Sequence, residues 1–141
     1  MNENQNVEYK QNWRDEYLKW ICGFANANGG RLLIGVDDKG QVLGIDDYSK
    51  LLEEIPNKAV QHLGIAIEVN LLEQETKHYI EIIVPQSNIP ISYHGILYYR
   101  SGSTKQELQG TALHDFLLRK MGRTWDGIGT ENASIADIDP P

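Results

Sequence analysis

The sequence predicts an α+β fold, with three helices and a mixed, largely antiparallel sheet of five to six strands. Two observations lead to this prediction. Apolar residues recur at three- and four-residue steps in three separate stretches, and in others they alternate with polar residues. Turns rich in Gly, Asp and Pro join the alternating stretches, as is typical of antiparallel hairpins.

The first helix is predicted from Trp13 to about Asn28. Its apolar stripe comprises Trp13, Tyr17, Trp20, Ile21 and Phe24. We expect both tryptophans to anchor the core. The helix should end at Asn28-Gly29-Gly30, because glycine tolerates the left-handed conformation that commonly follows a helix.

A strand from Arg31 to Val36 should follow. The turn residues Asp37-Asp38-Lys39-Gly40 then favour a hairpin whose second arm is Gln41–Ile45. A second helix is predicted over about Tyr48–Leu63, where Pro56 should introduce a kink and Gly64 should end the helix.

The second half of the chain should contain two further hairpins and a last helix. The predicted strands and helix are Ile65–Leu71, Tyr79–Val84, Ile91–Tyr93, Ile96–Arg100 and Thr111–Met121. From Gly122 onward the apolar period fades. We therefore expect one domain over residues 1–121, with residues 122–141 forming a linker or the start of a following domain.

Composition argues against a disulfide-rich, cysteine-metal or membrane-bound protein. Cys22 is the single cysteine, so the chain has neither a disulfide framework nor a cysteine-based metal site. The first residues carry no basic start or apolar run, and no long apolar run occurs, so we expect a cytoplasmic protein that does not bind membranes. The net charge is −7, but the first 124 residues hold 16 acids against 13 bases. That mild balance leaves room for a local basic patch.

Several acidic residues are candidates for a metal site. Glu3 and Glu8 flank the extended segment Val7–Lys10, where Glu8 and Lys10 would share one face of a strand. Asp37 and Asp38 follow a predicted strand. Carboxylates that converge from separate elements suit Mg²⁺ or Mn²⁺. The alternative is that Glu3 is merely terminal and the aspartates merely cap a turn.

A second group of residues is suited to phosphate. Arg100, Ser101, Ser103, Thr104 and Lys105 combine cations and hydroxyls around Gly102 at a predicted strand end. Lys10, Arg14 and Arg31 could extend the same surface. Tyr98 or Tyr99 could offer a ring to a base, although one of the two should point inward. The alternative is an ordinary solvated strand end.

The helix end before the first long strand is a candidate hinge. Gly29 and Gly30 would let the backbone approach a neighbour or a phosphate closely, and Asn26 and Asn28 could bond the freed backbone groups at the helix end. The alternative is an ordinary turn between a helix and a hairpin, which favours the same residue types.

The segments VEYK, WICGFANANGGRLLIGVDD, VLGI and YYRSGST, in this order, resemble the Schlafen-type AlbA-like domain. The resemblance runs from about Glu3 to Arg119, and FANANGGRLLIGVDD is its most specific part. It implies binding of DNA or RNA, with DNA preferred, at the front of a longer transcriptional regulator or ATP-dependent DNA helicase-related protein of bacterial type. The C-terminal domains of that protein would be partners.

The resemblance also implies an alternative activity. Schlafen ribonucleases use a three-carboxylate metal site, and by motif Glu3, Glu8 and either Asp37 or Asp38 occupy those positions. The chain would then be a Mg²⁺- or Mn²⁺-dependent endoribonuclease. A third alternative is a protein-interaction or homodimerisation module. No GxxxxGK[ST] motif occurs, so we expect no ATP site in this chain.

Overall fold

The computed structural model describes residues 6–101 and 104–128, with side chains up to residue 121. Its strands are β1 (Val7–Lys10), β2 (Gly30–Ile34), β3 (Glu68–Gln74), β4 (Lys77–Val84), β5 (Tyr98–Ser101) and β6 (Thr104–Glu107). Its helices are α1 (Leu18–Asn26), α2 (Tyr48–Leu63) and α3 (Gly110–Ile128), and a 3-10 turn at Asp15–Tyr17 precedes α1. The predicted α+β class is confirmed.

The strands of the described residues form two sheets. The larger has the order β1-β2-β4-β3, in which β1 runs parallel to β2 and the other pairs are antiparallel. The smaller is the antiparallel hairpin of β5 and β6. The predicted set of largely antiparallel strands is thus divided between a four-stranded sheet and a separate two-stranded ribbon.

The four-stranded sheet has two unlike faces. Because side chains alternate along a strand, Leu32 and Ile34 of β2 point to one face, where α1 and α2 pack and the main core lies. Leu33 points to the other face and packs with Val7 and Tyr9 of β1 in a smaller cluster. The two faces therefore place neighbouring residues of one strand in different environments.

The junction between α1 and β2 requires both of its glycines. Gly29 has a φ of +77°, and a Cβ on it would lie 2.7 Å from the carbonyl oxygen of Val84. A Cβ on Gly30 would collide with the ring of Phe24. The Gly29 amide also donates to the Phe24 carbonyl, which closes the helix end. Close packing therefore demands glycine here in addition to turn geometry.

Two predicted hairpins are shorter than expected. The turn after β2 forms, but its second arm contributes only the bridge between Val36 and Val42. Similarly, Tyr93 and Ile96 form a single bridge around the predicted turn. Strand β5 pairs instead with Thr104–Glu107, which the sequence did not mark as a strand.

The buried side-chain amide of Asn26 explains why the segment at Ile91 does not pair with β5. Asn26 Nδ2 donates to the carbonyls of Ile91 (2.8 Å) and Tyr98 (2.7 Å), and its Oδ1 accepts from the Ile91 amide at 2.8 Å. The backbone groups of Ile91 are therefore occupied, so this residue does not join a ladder with β5.

Two helix ends and one strand start test the sequence boundaries. Helix α2 matches its predicted bounds, contains Pro56, and is followed by Gly64 at a φ of +72°. Strand β3 begins at Glu68 rather than Ile65. Helix α3 continues to Ile128, so its predicted end at Met121 is wrong, and residues 129–141 lie outside the described part. Among the described residues no helix is both long and apolar enough to cross a membrane.

Candidate nucleic-acid interface

Trp20 of α1 is the centre of a basic and aromatic surface. Its side chain is half-buried and stands apart from the main core, so the expectation that it anchors the core is wrong. Three cationic groups lie within 6 Å of its ring centroid: Lys10 Nζ at 4.9 Å, Arg100 Cζ at 5.1 Å and Lys105 Nζ at 5.7 Å. Cations at such distances are attracted by the electron-rich ring face.

The strand registers bring these cations together. Glu8 and Lys10 of β1 are aligned with Leu32 and Ile34, on the face that α1 covers. Arg100 and Lys105 are direct partners across the β5–β6 ribbon. Gly23 lets α1 approach β5, since a Cβ on it would lie 3.3 Å from the Arg100 amide nitrogen.

Arg100 forms a buried ion pair rather than a surface contact. Only 1% of Arg100 and 6% of Glu8 is exposed. Arg100 Nη1 donates to Glu8 Oε1 at 2.8 Å, and Nη2 donates to the Val7 carbonyl at 3.1 Å. The guanidinium also packs over the Phe24 ring at 4.6 Å. In this arrangement Arg100 joins the ribbon to β1 beneath Trp20, away from solvent.

Three lysines above this pair form what we call the lysine cluster: Lys10, Lys19 and Lys105. Lys19 and Lys105 lie 5.8 and 5.4 Å from the Tyr98 ring centroid. Burial lowers the pKa of Lys105, and the neighbouring charges of Lys19 and Lys10 lower it further, against the opposing effect of Glu107 and Glu16. Repulsion between like charges in the cluster therefore adds to the effect of burial on the pKa of Lys105.

Lys19 is not among the phosphate contacts predicted from the sequence. Its role depends on Tyr98, which lies 79 positions further along the chain. Of the adjacent tyrosines, Tyr98 is 2% exposed and Tyr99 is half-buried, so the expectation that one points inward is confirmed.

The other predicted phosphate contacts are dispersed around the ribbon. Ser101 and Thr104 are exposed at its tip, where Thr104 Oγ1 donates to the Ser101 carbonyl at 2.8 Å. Ser103 lies outside the described residues. Arg14 is exposed near the start of α1, with its Nη1 3.8 Å from Glu16 Oε2.

Arg31 does not extend the surface of the lysine cluster. It is aligned with Val7 and Ile83 on the opposite face of the four-stranded sheet. There its Nη1 donates to Glu81 Oε2 at 2.8 Å. The same carboxylate accepts from Asn70 Nδ2 at 3.2 Å, so Arg31 belongs to a separate polar network.

Two of the four candidate metal ligands, Glu8 and Asp37, are engaged in other contacts. Both carboxylate oxygens of Glu8 face cations, since Oε1 accepts from Arg100 and Oε2 lies 3.3 Å from Lys10 Nζ. Asp37 Oδ1 accepts from the Lys39 and Gln41 amides, both at 2.9 Å, so it stabilises the turn. Asp38 is exposed, and Glu3 lies outside the described residues. Within the described ranges no group of three His, Cys, Asp or Glu residues could hold a metal ion.

The two asparagines of the predicted hinge differ in burial and in bonding. Asn26 is 1% exposed and bonds backbone groups of distant segments rather than those of the helix end. Asn28 is exposed. The arrangement fixes α1 against the ribbon and the Ile91 segment, which in turn positions Trp20 and Lys19 on the same helix.

Comparisons with known proteins agree with this fold. The structure resembles the DIP2311 protein from Corynebacterium diphtheriae, with a TM-score of 0.61 and 19% identity over 74% of this chain. The chain spans only 22% of that protein. It also resembles the N-terminal domain of a candidate ATP-dependent DNA helicase, a RecG-related protein from Nitrosomonas europaea, with a TM-score of 0.53 and 25% identity. That match covers 74% of this chain and 83% of the other.

The sequence itself matches the family described as Schlafen, AlbA_2 over residues 3–109. The matched range contains β1 through β6 and therefore the whole lysine cluster. The chain belongs to the Schlafen AlbA_2 family.

Proposed function

We propose that this domain binds nucleic acid, with single-stranded DNA as its main target, through the lysine cluster and Trp20. One observation carries the proposal: three ammonium groups converge on the Trp20 and Tyr98 rings in a chain whose net charge is −7. Proteins that bind single strands combine such cations with aromatic rings on which bases stack, and of these two rings only the half-buried Trp20 is open to a base.

The local charge balance supports phosphate as the ligand. The lysine cluster supplies three cations, and the acids that act on Lys105 are Glu107 and Glu16. Glu8 and Arg100 neutralise each other beneath the surface. A phosphate between the lysines would relieve the repulsion that contributes to the lowered pKa of Lys105.

Two of the comparisons support a role within a larger protein. The neighbour from Nitrosomonas europaea is an N-terminal domain of a candidate DNA helicase, and the Corynebacterium protein is several times longer than the region matched here. We therefore propose that the domain positions DNA for other parts of a longer protein, either a helicase-related protein or a transcriptional regulator.

The test is a fluorescence-anisotropy titration of single-stranded DNA, single-stranded RNA and duplex DNA over a range of salt concentrations. If the three lysines each contact one phosphate, log affinity should fall with log salt at a slope of about −2 for single strands. Lys19→Gln should reduce that slope by about 0.7. The matched control is Lys50→Gln, an exposed lysine of α2, which should leave the slope unchanged.

Binding that ignores salt, or an equal effect of both substitutions, would contradict the proposed interface. No response to any nucleic acid would favour the protein-interaction alternative. Tighter binding of RNA than DNA would keep the interface and change the preferred target.

Metal-dependent cleavage is a separate hypothesis, and the contacts of Glu8 do not favour it. Both oxygens of this carboxylate face cations, so a metal ion would have to displace Arg100 or Lys10. We expect labelled single-stranded RNA to remain intact with the domain in Mn²⁺. Cleavage that is abolished by Asp38→Asn, with Glu53→Gln as the control, would instead support the three-carboxylate site.

A further inference from the structure

A cavity lies on the outer face of the β5–β6 ribbon. Residues alternate between the two faces of a strand, so Arg100 and Lys105 face α1 while Tyr99 and Gln106 face the opposite way. On that side the Tyr99 ring meets Phe116 of α3 edge to face, with ring centroids 5.5 Å apart. Between ribbon and helix lies an open cavity of about 240 Å³, which we call the hairpin pocket.

The lining of the hairpin pocket combines an aromatic floor with polar groups of both kinds. Tyr99 and Phe116 form the floor, while Gln106, Asp115 and Arg119 contribute an amide, a carboxylate and a guanidinium. Asp115 and Arg119 are four residues apart on α3 and therefore lie on the same side of the helix. Within the described part of the chain, neither of these two side chains forms a hydrogen bond or ion pair.

This chemistry suits a base better than a phosphate. A phosphate would be repelled by the Asp115 carboxylate, whereas the edge of a base presents both donors and acceptors. The carboxylate can accept from N–H groups, and the Arg119 guanidinium can donate to ring nitrogen or carbonyl oxygen. The small volume favours one planar ring system over a larger cofactor.

Guanine complements this set of groups. Its N1–H and N2–H donors lie side by side, as a carboxylate requires, and its O6 and N7 acceptors are the groups that arginine commonly recognises. Adenine and cytosine present an acceptor beside the donor on the corresponding edge. We infer that the hairpin pocket binds the base of a guanine nucleotide, an inference that rests on the nucleic-acid binding proposed above.

The two sites are continuous through the ribbon. Lys105 and Gln106 are consecutive on β6, so this strand places one member of the lysine cluster on one face of the ribbon and one residue of the hairpin pocket on the other. A single strand of nucleic acid that contacts the lysine cluster and passes over the ribbon edge would bring one of its bases to the hairpin pocket. Both the ring face and the edge of that base must be free, which requires single-stranded nucleic acid.

The experiment compares labelled oligothymidylates that contain one central guanine, hypoxanthine, adenine or abasic site, at one low salt concentration. Hypoxanthine lacks the N2 amino group of guanine. Guanine should bind about tenfold more tightly than the abasic oligonucleotide, consistent with stacking of one base. Hypoxanthine should be intermediate.

Asp115→Asn should abolish the difference between guanine and hypoxanthine. Because this substitution also removes a negative charge, a purely electrostatic effect would strengthen binding of all four oligonucleotides equally. Glu53→Gln on α2, an exposed site with the same change of charge, should keep the guanine preference. Arg119→Gln should weaken guanine binding more than abasic binding.

The possible outcomes separate this inference from the function on which it rests. Equal binding of guanine and abasic oligonucleotides, or a guanine preference that persists in Asp115→Asn, would overturn the hairpin pocket as a base site. Salt-sensitive binding that responds to Lys19→Gln would then still support the lysine cluster. Absence of binding to every oligonucleotide would remove both proposals.

Discussion

Arg100 and Lys105 are direct partners across the same ribbon, and both carry a positive charge, yet they occupy opposite environments. Arg100 is 1% exposed and pairs with Glu8. Lys105 is half-exposed and lies among other lysines, with its pKa lowered by burial and by Lys19. The contrast shows that residue type at a strand end does not decide function. Arg100 stabilises the fold beneath the basic surface, and Lys105 is part of that surface.

Asn26 and Asn28 repeat this contrast at the end of α1. Asn26 is buried and binds backbone groups of Ile91 and Tyr98, whereas Asn28 is exposed. In both pairs one residue joins distant segments and its neighbour faces solvent. Substitutions within each pair therefore test whether the burial of a side chain or its residue type determines its effect on stability.

The largest effect is expected at Arg100. Arg100→Met should lower the free energy of unfolding by about 3–5 kcal/mol, because it leaves the Glu8 carboxylate buried without its guanidinium partner. Lys105→Met should change it by no more than about 0.5 kcal/mol. Urea unfolding monitored by tryptophan fluorescence measures both. Adding Glu8→Gln to Arg100→Met should recover part of the loss, and similar stabilities for the two single variants would contradict this division of roles.

Asn26→Ala should come next. The substitution removes the Asn26 bonds to the Ile91 amide and to the carbonyls of Ile91 and Tyr98, although the Ile91 carbonyl keeps the Cys22 thiol as a donor at 3.3 Å. Each buried backbone group left unsatisfied costs about 1–3 kcal/mol. Since local repacking offsets part of this cost, we expect a total near 3 kcal/mol. Asn28→Ala is the matched control and should be nearly neutral. Urea unfolding measures the stability of the two variants. Equal unfolding midpoints would argue against the role given to Asn26.

Trp20 should matter more for binding than for stability. Trp20→Leu should weaken single-stranded DNA binding by about 1–3 kcal/mol, because it removes the ring that organises the lysines and offers a stacking surface. Trp13→Leu should leave affinity unchanged, since Trp13 packs against the main core. Anisotropy titrations at one salt concentration compare the two. Equal losses of affinity would show that fold stability, not the interface, explains the effect.

The smallest expected effect is at Asp15. Its pKa is lowered chiefly by the hydrogen bond from Lys58 and then by that from the Trp13 indole. The resulting stability is therefore present above the unfolded pKa of about 3.8 and is lost as pH falls through the lower folded value. Asp15→Asn should cost at most about 1 kcal/mol at neutral pH. In unfolding measured against pH, a difference from the native sequence that persists in strong acid would contradict this origin.

Cys22 provides an independent measure of unfolding. Burial raises the pKa of its thiol from 9.0 to about 11, so the reactive thiolate fraction at neutral pH is smaller in the folded state than in the unfolded state. We expect a thiol reagent to label the folded domain very slowly and the urea-unfolded domain rapidly. Rapid labelling of the folded domain would show that α1 does not pack as described.

Local periodicity accounts for the parts of the fold that the sequence predicted well. The stripe of α2 and the alternation of β4 depend on residues within one element, and their bounds agree with the structure or nearly so. Strand β6 was missed because Thr104–Glu107 is polar at every position and shows no apolar alternation. It is a strand because β5 supplies its hydrogen-bond partners.

The candidate site was predictable only in part, since its decisive contacts are long-range. Lys10 and Lys105 could be named from their positions near strand ends. The burial of Arg100 depends on Glu8, 92 residues away, and no local pattern reveals that pairing. The facing direction of Arg31 depends on the register of β2 with β1, which likewise follows from tertiary structure.

The most direct test of the central claim is the salt dependence of single-stranded DNA binding in two triple variants with the same change of charge. One replaces Lys10, Lys19 and Lys105 with Gln, and the other replaces the exposed lysines Lys39, Lys50 and Lys77. The first should reduce the slope from about −2 to near zero, and the second should retain it. Equal slopes in the two variants would show that binding responds to net charge alone, which would contradict a dedicated lysine cluster.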